Sequence, residues 1–172
     1  MERPVDIERT VHGGAPGDAL RAVMARYPTG VTVVTTRDAS GGPRGLTVNS
    51  FTSVSLDPPL VLVCIHREAS AHDVLTREGC TFTVNILSHR QVEVARRFAR
   101  RPAEGRFDGL DWEPGPSGNP VLAGTAGWLD CAVRDVYEAG DHSIVVGLVT
   151  ACEAGEARAL LFHRGLLGPV GE

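Results

Sequence analysis

Lysine is absent from this sequence of 172 residues, and all 17 of its basic residues are arginine. With 21 acidic residues the formal net charge is −4, so the charge balance does not indicate nucleic acid or an anionic membrane as a partner. Aromatic residues are scarce at 5%, while hydrophobic residues make up 42% of the chain. That content is enough for a substantial core and argues against disorder over most of the chain, and the length predicts a single domain.

Long apolar runs are also missing. No run approaches the roughly 20 residues that a membrane-spanning helix needs. The N-terminal stretch MERPVDIERTVHGG is charged and lacks the apolar core of a secretory signal, so we expect a cytoplasmic protein without a membrane segment. The four cysteines, Cys64, Cys80, Cys131 and Cys152, are far apart and form no CxxC pair. Metal binding needs clustered ligands, so this spacing predicts buried reduced thiols and no metal site.

Several catalytic and nucleotide-binding motifs do not occur. The sequence contains no GxxxxGK[ST], GxGxxG, GxSxG or HExxH, and its six histidines show no metal-ligand spacing. These absences exclude many hydrolases and nucleotide-binding folds. They leave open an enzyme whose cofactor carries the chemistry while the protein holds and orients it.

The residue pattern predicts a mainly β protein with six or seven strands and three helices. We expect strands over residues 31–36, 46–56, 60–65, 80–87, 127–137, 143–152 and 159–163. We expect helices over residues 19–27, 71–78 and from about 91 to 101, capped by Asp18, by Ser70 and by a capping box of Ser88 with Gln91. Short turns between strands favour antiparallel pairing, and closure of the sheet into a small barrel removes its edges. Irregular alternation of strands and helices makes a doubly wound parallel sheet the weaker alternative.

The chain divides into three predicted parts. Residues 1–17 are polar and predict a flexible N-terminal arm, residues 18–166 form the domain, and residues 167–172 form a loose tail. Residues 102–124 hold five glycines and four prolines and predict a long irregular loop within the domain.

One strand-like stretch is unusually polar. Of the nine residues 47–55, TVNSFTSVS, six carry hydroxyl or amide side chains, and both faces of the predicted strand mix polar and apolar residues. Gly45 precedes the stretch and permits close approach of its backbone to a ligand. Such a strand could present main-chain N–H groups and short hydroxyls to a polar, planar, phosphorylated ligand. An exposed strand face or a set of turns is the alternative interpretation.

Six segments resemble, in order, the flavin reductase-like family, the short-chain reductase components of two-component flavin monooxygenases. They are YPTGVTVVTT at 27–36, GLTVNSFTSVSLDPP at 45–59, FTVNIL at 82–87, RFA at 97–99, GDH at 140–142 and RG at 164–165. The resemblance covers roughly residues 18–165. It implies a Greek-key split β-barrel that binds FMN, forms a homodimer and transfers hydride from NADH or NADPH to FMN or FAD. The reduced flavin then serves a separate flavin-dependent oxygenase.

The resemblance also implies site residues. It assigns flavin binding to one strand, to the end of the next strand and its following loop, and to one helix; the residues are Gly45, Leu46, Thr47, Val48, Asn49, Ser50, Cys64, Ile65, Ser70, Arg97 and Phe98. It places Arg97 near the flavin phosphate and His142 near the nicotinamide, and it implies no acid–base catalyst. Each assignment has a structural alternative: Ser70 as a helix cap, Arg97 as a solvated charge, Cys64 as a core thiol and His142 as a turn residue.

One position departs from the family pattern. The family often has an aromatic residue soon after the Arg-Gly pair, whereas here Leu166 and Leu167 follow Arg164 and Gly165. Two other functions stay open on the sequence: a flavin-binding split barrel without reductase activity, such as an electron-transfer or oxidase relative, and a non-enzymatic interaction barrel.

Overall fold

The structure is a computed structural model that describes residues 16–169. The chain there is mainly β, as predicted. Its helices are α1 (Pro16–Met24), α2 (His72–Leu75) and α3 (Val92–Ala99). Its strands are β1 (Thr29–Gly30), β2 (Thr32–Arg37), β3 (Pro43–Val48), β4 (Thr52–Leu56), β5 (Pro59–His66), β6 (Thr81–Ile86), β7 (Trp112–Pro114), β8 (Pro120–Leu122), β9 (Gly127–Ala139), β10 (His142–Ala154), β11 (Leu160–His163) and β12 (Leu166–Pro169). None of the helices in the described part is long and apolar enough to cross a bilayer.

Seven strands form one antiparallel sheet in the order β3-β2-β6-β9-β10-β5-β4. The two edge strands, β3 and β4, are separated in sequence only by residues 49–51. So short a connection brings the two edges of the sheet close together, because three extended residues span only about 10 Å. The sheet is therefore strongly curled, as a split barrel requires, while full Greek-key closure stays a prediction.

The polar stretch that we predicted as one strand over residues 46–56 is two strands. Residues 49–51 leave the sheet, and β3 pairs with β2 whereas β4 pairs with β5. The single-strand prediction was wrong because periodicity reports only local conformation, and no local signal marks where a chain passes from one edge of a sheet to the other. The stretch mixes polar and apolar residues on both faces, which fits a chain that passes from one edge strand of the sheet to the other.

Two cores lie on either side of β2. Val34 packs with Phe82, Ile65 and their neighbours, whereas Val33 packs with Phe98 and others beneath α3. Successive residues of a strand point to opposite faces, so both faces of β2 are buried. That fits a strand in which five of six residues are β-branched valine or threonine.

Two of the predicted helix caps were wrong. The first helix begins at Pro16, so Asp18 lies inside the first turn, where it pairs with Arg21 at 3.2 Å. The second helix spans only four residues, and its N-cap is Ala71, not Ser70, with no side-chain cap. A serine before a short polar segment satisfies the capping rule equally well in a loop, which is why the sequence could not distinguish the two.

The capping box before α3 is half formed. The Ser88 N–H donates to Gln91 Oε1 at 2.9 Å, as predicted. The helix begins only at Val92, however, and the Ser88 hydroxyl contacts the Gln91 side chain at 3.3 Å instead of its amide. This helix ends at Ala99, two residues earlier than predicted.

The predicted irregular loop contains a short hairpin, β7–β8, which packs against the main sheet. At the C-terminal end, residues 167–169 belong to β12, which pairs with β11. The predicted arm falls almost entirely outside the described residues, and the division into arm, domain and tail stays a prediction.

Candidate functional site

A cavity of about 460 Å³ lies beside the end of β3, between α3 and the loops that follow β5 and α3. Four of the residues that the sequence predicted for flavin binding line it: Leu46, Thr47, Ser70 and Phe98. Its volume is within the range of roughly 300–1,000 Å³ that ligand pockets have. The fold therefore brings residues from β3, the β5–α2 loop and α3 to one concave surface.

The free edge of β3 faces this region. The Gly45 carbonyl accepts a hydrogen bond of 2.6 Å from Arg106 Nη1, so it points away from β2. In an antiparallel strand the backbone groups of residues two apart point the same way. The N–H and C=O of Thr47 are therefore also directed away from β2, toward α3 and the cavity.

Gly45 itself has a packing role. A Cβ at this position would lie 2.8 Å from the Phe98 ring and 3.1 Å from the Val34 carbonyl oxygen. The close approach that we predicted for a ligand is thus made by an aromatic ring of α3. Phe98 is 1% exposed and belongs to the core beneath α3, so only a small part of it reaches the cavity wall.

The hydroxyls of the polar stretch are mostly engaged within the protein. Thr47 Oγ1 donates to the Ala95 carbonyl at 2.7 Å. The Ser50 hydroxyl accepts from the Cys64 N–H at 2.9 Å and donates to the Cys64 carbonyl at 3.1 Å. These side-chain hydroxyls therefore hold the backbone of the polar stretch in place. The groups left to bind a ligand are the main-chain N–H and C=O groups at the free edge of β3.

The remaining predicted residues of these two strands lie around the cavity without lining it. Val48 and Ile65 are buried in the core, at 6% and 0% exposure. Asn49 is exposed, and its Nδ2 lies 3.4 Å from Thr29 Oγ1. Cys64 is half-buried, and Ser50 engages both of its backbone polar groups.

Arg97 lies away from the cavity. Its exposed guanidinium donates to the Asp108 carbonyl at 2.9 Å, and it is not among the residues that line the cavity. The cations at the cavity are Arg101 and Arg106, which the sequence analysis missed. Five arginines occur between residues 96 and 106, and only the end of the helix at Ala99 decides which of them turn toward the cavity.

The two cavity arginines differ in environment. Arg101 is exposed and reaches Glu68, donating to its carbonyl at 3.0 Å and pairing with Oε2 at 3.5 Å. Arg106 is 7% exposed and also donates to the Arg100 carbonyl, and its Nε is buried without a hydrogen-bond partner. Burial lowers the pKa of Arg106, and the nearby Glu104 carboxylate opposes that effect.

His142 lies next to another histidine. The antiparallel register of β10 and β5 places it opposite His66, and the two rings are 5.0 Å apart in an edge-to-face arrangement. His142 Nδ1 is 2.7 Å from Asp141 Oδ1. That hydrogen bond is the main reason why the pKa of Asp141 is lowered. His66 lines the cavity, whereas His142 does not. His142, the predicted nicotinamide residue, therefore adjoins the cavity by its contact with His66, which the sequence did not single out.

A second cavity, of about 280 Å³, adjoins the first, and the two share Thr47 and Ala99. Its walls are largely apolar and include Val31, Ala95, Phe162 and Leu167. Leu167 is one of the two leucines that stand where the family often has an aromatic residue. The two cavities form neighbouring polar and apolar parts of one region.

Comparison with known proteins identifies the family. Residues 24–171 match the model of the flavin reductase like domain. The chain is 47% identical over 147 residues to a probable flavin reductase of Rhizobium meliloti (strain 1021), which covers 86% of this chain and 47% of that protein. The reductase subunit of a stachydrine N-demethylase from the same organism is also 47% identical over 147 residues, covering 86% of this chain and 63% of that protein. This chain thus spans about half of the length of the first relative and less than two thirds of the length of the second.

A solved structure agrees in fold. The NADH:FAD oxidoreductase of Streptomyces globisporus C-1027, determined with NAD and FAD fragments, superposes with a TM-score of 0.84 at 41% identity. The match covers 91% of this chain and 93% of that one. Together with the family model, which spans most of the sequence, this shows that the chain belongs to the flavin reductase-like family.

Proposed function

We propose that the protein is an NAD(P)H:flavin oxidoreductase that transfers hydride from NADH or NADPH to FMN or FAD. The observation that carries the proposal is the 460 Å³ cavity at the free edge of β3, lined by residues that the family resemblance had assigned to flavin. Relatives that are named as a flavin reductase, as a reductase subunit and as an NADH:FAD oxidoreductase support the same reaction.

The cavity residues fit a flavin. The backbone of Thr47 at the strand edge can hydrogen-bond a polar heterocycle, and Leu46 offers an apolar surface to its ring. The Ser70 hydroxyl and the Arg101 guanidinium, both exposed, suit a ribityl phosphate. A bound flavin would supply the hydride-accepting N5 atom, so no side chain needs to act as an acid or base.

The protein's own contribution is orientation and charge stabilisation. Reaction requires the reacting atoms to lie about 3–3.5 Å apart, which depends on the stacking geometry that the cavity walls impose. Main-chain N–H groups at the β3 edge would stabilise the negative charge that develops on the ring during reduction. His142, held by Asp141, would orient the nicotinamide.

Replacement of His142 by alanine tests its role. We expect the KM for NAD(P)H to rise much more than the KM for flavin, since only the nicotinamide would lose a contact. Steady-state kinetics with each substrate varied in turn measures both constants. Equal changes in the two constants would contradict the assignment.

We further propose that the reduced flavin serves a separate flavin-dependent oxygenase, as the relative that is a demethylase reductase subunit suggests. A homodimer is supported by apolar side chains that this structure leaves exposed, namely Leu20, Val23, Met24, Tyr27 and Leu166. A sedimentation experiment that finds only monomer would contradict the dimer.

The four unpaired cysteines support a cytoplasmic protein, since disulfides are rare in that compartment.

An anaerobic assay tests the reductase activity. The protein is mixed with FMN or FAD and with NADH or NADPH, and the absorbance of oxidised flavin is followed. We expect bleaching with at least one pair. Flavin binding without bleaching would instead favour a flavin-binding barrel that is not a reductase. Absence of flavin binding in a fluorescence titration would favour a non-enzymatic barrel.

A further inference from the structure

Two histidines and one aspartate form a cluster where β5 ends and β10 begins. His66 is the last residue of β5, and His142 is the first residue of β10. The Asp141 carboxylate contacts both rings: Oδ1 lies 2.7 Å from His142 Nδ1, and Oδ2 lies 3.8 Å from His66 Nε2. The Arg67 N–H donates to the Asp141 carbonyl at 3.0 Å and fixes this turn against β5. The cluster is therefore held by strand register as well as by side chains.

The hydrogen bonds define the tautomer of each ring. The Glu68 N–H donates to His66 Nδ1 at 3.1 Å, so Nδ1 is an acceptor and the proton of the neutral ring lies on Nε2, facing Asp141. His142 Nδ1 donates to Asp141, which leaves its Nε2 as an acceptor directed elsewhere. Both rings thus present an N–H group to one carboxylate.

That carboxylate needs a second contact to be a fixed partner. The side chain of Asp141 is 78% exposed, and a single hydrogen bond in water restrains an exposed side chain weakly. His66 is less exposed, at 43%, and lines the cavity wall. It can therefore anchor Asp141 from the side of the cavity.

We infer that His66 is a positioning residue for the nicotinamide. It holds Asp141, Asp141 fixes the orientation and tautomer of His142, and His142 Nε2 meets the ligand. The inference rests on the proposed reductase function. The neighbouring charged side chains form ion pairs with each other, Arg67 with Glu138 at 3.3 Å and Arg101 with Glu68 at 3.5 Å. The side-chain partners of the Asp141 carboxylate are therefore the two imidazole rings.

A pair of substitutions separates the two polar contacts of His66, the 3.8 Å contact of Nε2 with Asp141 and the hydrogen bond that Nδ1 accepts from the Glu68 N–H. In His66→Gln the side-chain amide can replace the Nε2–H that faces Asp141. In His66→Asn the shorter amide can replace only Nδ1, the acceptor for the Glu68 N–H. We expect His66→Asn to raise the KM for NAD(P)H about 3- to 10-fold, the effect of one hydrogen bond between His142 and the ligand, with the KM for flavin nearly unchanged. His66→Gln is expected to recover most of that loss.

A double-mutant cycle tests whether the two histidines act together. If His66 acts through His142, then His66→Asn changes nothing further in a protein that already carries His142→Ala. Additive effects in the double variant would overturn the inference, and so would equal effects of His66→Asn and His66→Gln. His89→Asn is the matched control, because His89 is half-buried, as His66 is, and its Nδ1 contacts the Arg158 carbonyl outside the cavity.

A readout that does not depend on catalysis completes the test. Nitrogen-15 NMR of the flavin-free protein reports which ring nitrogen carries the proton. We expect His142 to be the Nδ1–H tautomer in the unchanged protein and in His66→Gln, and to become a mixture in His66→Asn and in Asp141→Asn. An unchanged His142 signal in His66→Asn would overturn the inference. If the unchanged protein reduced no flavin, the proposed function would fail, while this spectrum would still decide whether His66 acts on His142.

Discussion

At the scale of single residues, the arginines near the end of α3 show how position decides chemistry. Arg97 and Arg101 are both exposed and both donate to a main-chain carbonyl, yet only Arg101 lies at the cavity. Their separation by four residues would place them on one face of a continuous helix. The helix ends between them at Ala99, and their guanidinium groups have different partners, the Asp108 carbonyl for Arg97 and the Glu68 carbonyl for Arg101.

This difference gives a matched comparison for flavin binding. We expect Arg101→Ala to weaken flavin binding about 5- to 10-fold, a value reduced from that of a buried pair because the group is exposed. Arg97→Ala should leave the affinity within about twofold, since its guanidinium contacts Asp108 instead. Fluorescence quenching of FMN and FAD measures both constants. A larger loss with Arg97→Ala would restore the sequence-based assignment of the phosphate to that residue.

Gly45 supports a second residue-scale prediction. Gly45→Ala introduces a Cβ at 2.8 Å from the Phe98 ring, and the neighbouring Val34 carbonyl leaves it no alternative space. We expect the free energy of unfolding to fall by about 1–3 kcal/mol, the usual cost of overpacking. Urea unfolding measures it. Gly30→Ala is the control, because nothing lies within 4 Å of the Cβ it would add. Equal losses in the two variants would contradict the packing role of Gly45.

At the scale of elements, the β2–β3 hairpin is closed by one carboxylate. Asp38 accepts hydrogen bonds from the Ser40 hydroxyl at 2.6 Å, from Arg44 Nε at 2.8 Å and from the Gly42 N–H at 2.9 Å. The Ser40 and Arg44 side chains are the main causes that lower the pKa of Asp38 from 3.8 to about 2. The turn therefore binds the ionised form of Asp38 more tightly than the protonated form.

This preference predicts an acid-dependent contribution of the hairpin. Because the folded-state pKa is depressed, the stabilisation is fully present above about 4 and is lost as the pH falls toward about 2. We expect Asp38→Asn to lower Tm at neutral pH and the difference from the unchanged protein to shrink between pH 4 and pH 2. Calorimetry at several pH values measures it. Glu113→Gln, which removes an exposed carboxylate, should show no such trend.

At the scale of the whole molecule, the two edges of the sheet meet at Ser50. Its hydroxyl joins the connection between β3 and β4 to the Cys64 backbone of β5. We expect Ser50→Ala to cost about 1–3 kcal/mol of unfolding free energy, because it leaves the Cys64 N–H without its partner. Faster hydrogen exchange of that amide would show that the edges have loosened. Ser53→Ala on exposed β4 is the control, and equal losses in both variants would contradict the special role of Ser50.

Much of the molecule follows from the sequence alone. Runs of β-branched residues, turn residues and spacing determined a mainly β, antiparallel fold, and six ordered motifs predicted the family that the comparison identified. These properties are local, so they can be inferred from neighbouring residues. Only the tertiary structure showed that the polar stretch breaks into two edge strands. It also showed that Arg101 and Arg106, and not Arg97, line the cavity. The register of β5 and β10 placed His66 opposite His142. Each of these depends on strand register or on the end of a helix, where contacts between residues distant in sequence override local preference.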